Sequence, residues 1–65
     1  MNPVITNSLP QGGNVAAVAS TLSGRICTTI SLGDGTTFSF WLSQPSAQVL
    51  VATISAALRQ AKGIE

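Results

Sequence analysis

Apolar and polar side chains alternate through residues 25–32, with Ile26, Thr28, Ile30 and Leu32 on one side and Arg25, Cys27, Thr29 and Ser31 on the other. A two-residue period predicts a strand with one apolar face. Residues 37–42 repeat the pattern, grouping Phe38, Phe40 and Leu42 against Thr37, Ser39 and Trp41. Gly33-Asp34-Gly35 lies between the two runs and reads as a hairpin turn. Parity fixes its length. A two-residue loop at Asp34-Gly35 would pair Ile30 with Ser39 and mix the faces. A three-residue loop with Gly35 in the left-handed position pairs Ile30 with Phe38, Thr28 with Phe40, Ile26 with Leu42 and Cys27 with Trp41.

Upstream, residues 15–22 are small and β-branched and are followed by Ser23-Gly24, which predicts a first strand and a tight turn. The alanines of this stretch would also suit a short helix, but the preceding Gly12-Gly13 and the Ser and Thr content favour the strand. Residues 1–14 hold Pro3, Pro10, Gly12 and Gly13 around Val4 and Ile5, a composition that predicts an extended N-terminal arm. If Val4 and Ile5 are ordered, the expected reason is docking on a neighbouring subunit or along a sheet edge.

After Leu42, Ser43 is an expected N-cap, with Pro45 in the first turn, where its missing N–H costs little. Ala47, Leu50, Val51, Ile54, Leu58 and Ala61 form one stripe at helical spacing, opposite Gln48, Ser55, Arg59 and Lys62. Gly63 is the expected terminator, and Arg59 and Lys62 suit the negative end of the helix dipole. The fold expected is α+β: an arm over 1–14, then a single domain over 15–65. That domain is a three-stranded antiparallel meander whose face bearing Ile26, Ile30, Leu32, Phe38, Phe40 and Leu42 is covered by the C-terminal helix.

Charge changes this picture. Only 8% of the 65 residues are charged, the net charge is +1, and up to Leu58 the only formal charges are Arg25 and Asp34. The outward sheet face, with Ala16, Val18, Ser20, Cys27, Thr29, Ser31, Thr37, Ser39 and Trp41, therefore carries none. Solvated sheet faces normally bear Lys, Glu and Arg, so this one is expected to pack on another copy. Size points the same way, because a chain this short buries only about 60% of its unfolded surface. A single cysteine and no histidine leave neither an internal disulfide nor the usual zinc ligands to compensate. Self-association, through the uncharged face and the arm, is the remaining route.

The same counts exclude several functions. Three basic residues offer little to a phosphate backbone, so nucleic-acid polymers are not expected partners. Gln48, Thr53 and Ser55 interrupt the helix, which excludes a membrane span, and the N-terminus lacks the basic and continuous apolar regions of a secretory signal. A lone thiol fits a reducing compartment, so the expected location is the cytoplasm. Cys27 has no histidine to activate it, Asp34 belongs to a turn, and Glu65 is terminal. No acid–base pair forms, and neither an enzyme nor a cofactor is expected.

What remains is binding. Arg25 offers a bidentate grip on a carboxylate or phosphate, and Trp41 a flat surface for stacking or a protein anchor. Thr29 and Ser39 add hydroxyls, Arg59 a second cation, and symmetry would multiply each of them. The run 35–43, Gly-Thr-Thr-Phe-Ser-Phe-Trp-Leu-Ser, followed by Ala47, Leu50, Ile54 and Leu58, resembles a hairpin-then-helix pattern of small uncharacterised bacterial and phage proteins. The resemblance covers about half the chain and implies an architecture, with no functional residue carried over. The reading that follows is a non-enzymatic homo-oligomeric binding protein, such as a phage inhibitor. It would sequester a small anionic, nucleotide-like ligand through Arg25, Trp41, Thr29, Ser39 and Arg59, or block a host protein. The alternative is an accessory assembly protein without a ligand.

Overall fold

The computed structural model describes residues 2–64. The chain is α+β, with four antiparallel strands in the order β1-β2-β3-β4 and one C-terminal helix. The strands are β1 (Ile5–Ser8), β2 (Gly13–Ala19), β3 (Ile26–Leu32) and β4 (Thr37–Leu42), and the helix is α1 (Gln44–Ile64).

The expected three-stranded meander gains a fourth member. Ile5 to Ser8, read as part of an extended arm, pair with β2 in the register Ile5↔Ala17 to Ser8↔Asn14. The arm boundary at Asn14 thus falls inside β2. Pro10 and Gly12, which suggested irregular chain, instead form the turn: Gly12 donates to the Leu9 carbonyl at 3.1 Å and Leu9 to that of Gly13 at 3.0 Å. Polar Thr6, Asn7 and Ser8 hid the strand because an edge strand need not be hydrophobic on both sides.

The β3–β4 hairpin has the register that parity requires, including Ile30↔Phe38, Thr28↔Phe40, Ile26↔Leu42 and Cys27↔Trp41. Gly35 takes φ 93°, a conformation that a Cβ would oppose, and donates to the Leu32 carbonyl at 3.1 Å. Thr36 donates to Asp34 Oδ1 at 2.9 Å and closes the loop.

Gly13 is the second glycine the fold demands. Its φ is 86°, and a Cβ there would overlap the Ser31 carbonyl oxygen across the β2–β3 ladder. Gly13→Ala is therefore expected to destabilise the protein by more than about 2 kcal/mol, from left-handed strain and steric overlap together. Urea unfolding checks this against Gly63→Ala, whose Cβ would meet nothing within 4 Å. That control should be neutral or stabilising by up to about 1 kcal/mol, because a helical glycine costs backbone entropy. Gly63 does not terminate the helix as expected: α1 runs through it to Ile64.

Ser43 is the N-cap. Its Oγ accepts from the Ser46 N–H at 3.3 Å, and its carbonyl accepts the first helical bond from Ala47 at 2.9 Å. The helix, however, does not cover the sheet. Of the strands it meets only β4 to any extent, and its side-chain link to the rest is Gln44 Nε2, which donates to the Gly24 carbonyl at 3.2 Å. The physical reason is the link: a single residue between β4 and α1, itself fixed as a cap, leaves no loop for a return across the sheet. The consequence is unusual. Among the described residues no hydrophobic side chain is buried, and the one buried residue is Thr28, at the middle of the sheet.

Candidate functional site

Register sorts the sheet into two faces. Ile5, Val15, Ala17, Ala19, Ile26, Thr28, Ile30, Phe38, Phe40 and Leu42 share the apolar one. Ala16, Val18, Cys27, Thr29, Ser31, Thr37, Ser39 and Trp41 share the other, and none of them carries a charge.

Four of the five residues singled out for ligand binding fall along this second face. Arg25 precedes Cys27 on the same side, Cys27 pairs with Trp41, and Thr29 pairs with Ser39. Trp41 is 59% exposed. It shares an open hollow of about 370 Å³ with Arg25, Ser20 and Ser23, so cation and aromatic ring do adjoin one cavity. The Ser20–Arg25 turn places them there. Ser20 donates its N–H to the Arg25 carbonyl at 2.8 Å, and its Oγ accepts from Leu22 and Ser23 at 3.2 and 3.3 Å. Thr29 and Ser39 lie further along, their hydroxyl oxygens 3.1 Å apart, so each already partners the other. Arg59 stands apart. It is fifteen residues from Gln44, about 22 Å along the helix at 1.5 Å per residue, and one chain does not bring it to Arg25.

Another cavity was not foreseen. It is a groove of about 540 Å³ between the β1–β2 and β3–β4 turns, lined by Leu9, Pro10, Gln11, Gly12, Leu32, Gly33 and Asp34. The turns approach through glycine: a Cβ on Gly33 would come within 2.8 Å of the Gln11 carbonyl oxygen. The signal lay in the paired glycines at 12–13 and 33, legible only once β1 is recognised as a strand.

Asp34 on the rim is held below its ordinary pKa of 3.8, chiefly by the Thr36 backbone N–H, with a further contribution from the Thr36 side chain. A depressed folded pKa gives a contribution present above the unfolded value and lost as pH falls through the folded one. With Asp34 and Glu65 the only acidic side chains, the urea midpoint is expected to stay level from pH 8 to 5 and to fall only below about pH 4. Asp34→Asn should shrink that acid limb. An identical limb in the variant would show that the turn bond does not persist in solution.

Among the described residues there is no group of His, Cys, Asp or Glu able to hold a metal, and Cys27 is a half-buried free thiol. Among the described residues no helix is long and apolar enough to cross a membrane. The chain matches no protein-family profile, no curated protein and no solved structure.

Proposed function

We propose that this chain is a small non-enzymatic homo-oligomer whose fold is completed by self-association and whose role is carried by the assembled surface. The observation behind this reading is the accessible area. It is 5,170 Å², whereas a compact monomer of 6.6 kDa exposes about 3,900 Å². Val49, Leu50, Val51, Ile54 and Leu58 are among the exposed residues, together with Phe38 and Trp41. A chain that leaves so much apolar surface in water has little to offset its lost conformational entropy. Association with further copies supplies the missing burial without any disulfide or metal.

The hollow beside Trp41 and Arg25 favours a second reading, in which the oligomer takes a small anionic ligand. Guanidinium and indole on one cavity wall suit a flat or phosphorylated molecule, and symmetry would repeat the pair. A cytoplasmic setting accords with the single thiol, and blocking of a host protein would use the same face.

Native mass spectrometry tests both readings. A clean integer multiple of the chain mass supports assembly alone. A multiple with added mass that disappears in Arg25→Ala supports the ligand. A monomer at micromolar concentration would overturn self-association.

A further inference from the structure

Two surfaces of this chain lack a partner, and they match one another. One is the sheet face carrying Ile30, Phe38 and Phe40, with Phe38 52% exposed. The other is the helix stripe of Leu50, Ile54 and Leu58, with Ile54 53% and Leu58 58% exposed. Both are uncharged and largely apolar, and ordinarily a helix stripe packs on such a face within one chain. Here the lone residue Ser43 between β4 and α1 prevents it.

Two quantities, the spread of the chain and its surface area, support a second copy as the occupant. The radius of gyration is 13.5 Å, against about 11 Å for a compact chain of this length. The excess area is about 1,300 Å² per chain relative to a compact monomer of this mass. Doubled, it is about 2,600 Å², within the range of roughly 2,000–5,000 Å² for obligate homodimers. Geometry adds a third argument. At 1.5 Å per residue the 21-residue helix is about 31 Å long, enough to cross the four strands at about 4.8 Å spacing. β4, the strand from which it leaves, is an edge without charge or proline, in contrast to β1, which Pro3 and Pro10 flank. Such an edge is a ready template for pairing.

We propose that two copies associate about a twofold axis by exchanging helices, α1 of each lying across the Ile30–Phe38–Phe40 face of the other, with the β4 edges meeting at the axis. This rests on the self-association proposed above and specifies its interface. Each apolar face is then covered by the element it lacks in its own chain, and the contact is isologous and closes on itself. The Trp41 face remains outside the exchange, free for a ligand or for higher assembly.

The test is photocrosslinking in the full chain with benzoylphenylalanine at Ile54 and, separately, at Leu58. Equal amounts of ¹⁵N-labelled and unlabelled protein are co-refolded from urea, weighed by native mass spectrometry, irradiated, and mapped by fragment ions. The expected result is an even number of copies, with adducts from the helix to residues 26–42 of another chain. About half of the cross-linked dimers should then join one heavy to one light chain, as random mixing about a twofold requires. Adducts confined to the sheet of the same chain, or linking helix to helix, in a protein of even copy number would overturn the exchange and leave self-association standing. A monomer at micromolar concentration would overturn both.

Discussion

Ile54→Asp is expected to abolish assembly and, with it, folding at micromolar concentration. Ile54 lies at the centre of the helix stripe and is 53% exposed in the single chain, so in an isolated monomer the substitution would remove little. In the exchanged dimer it places a carboxylate against the partner's phenylalanines. Loss of a buried isoleucine costs about 2–4 kcal/mol, and burying an unpaired charge adds to that. Because the contact is isologous the substitution acts twice, so the dimer dissociation constant should rise by at least about 10³-fold. Sedimentation equilibrium with far-UV circular dichroism measures both effects. Ala56→Asp, about 160° round the same helix at 100° per residue and exposed, controls for helix propensity and should remain assembled. A variant at position 54 that keeps the parent's mass and spectrum would remove the helix stripe from the interface.

The second expected result is a melting temperature that depends on protein concentration. If folding and association are one step, stability contains a mass-action term, and a hundredfold dilution lowers it by about 2.7 kcal/mol per dimer. With an unfolding enthalpy near 0.7 kcal/mol per residue, the midpoint should fall by roughly 10 °C between 200 and 2 μM. Scanning calorimetry at the upper concentration and fluorescence of Trp41 at the lower would span the range. A midpoint unchanged over that interval belongs to a monomer and would refute self-association. The experiment is informative because the single chain lacks a buried hydrophobic residue among those described, so no stable monomeric intermediate is expected to blur the transition.

Much of the local structure was legible in the sequence. The β3–β4 hairpin, its three-residue loop and every cross-strand pair follow from two-residue alternation, because a slip of one position would carry Ile26, Ile30, Phe38 and Phe40 to the wrong side. Ser43 announced its cap through its hydroxyl and the neighbouring proline. β1 was less legible: its four residues, Ile5-Thr6-Asn7-Ser8, hold one large apolar side chain, and strand pairing there comes from backbone groups that any sequence possesses. Of the candidate site, the alignment of Arg25, Cys27, Thr29, Ser39 and Trp41 on one face follows from register. The hollow that Arg25 and Trp41 share depends on the Ser20–Arg25 turn, which alternation does not describe.

By itself the sequence determined three of the four strands, the helix, the β3–β4 register and the scarcity of charge, since these are set by side-chain period, turn chemistry and composition, all local along the chain. Only the tertiary structure decided that the helix leaves its own sheet uncovered. Apolar stripes state that a face must be buried, and they do not state in which molecule. That choice falls to chain geometry, and here one capping residue between Leu42 and Gln44 directs the helix outward, which leaves its apolar stripe and Phe38 of the sheet exposed in the single chain.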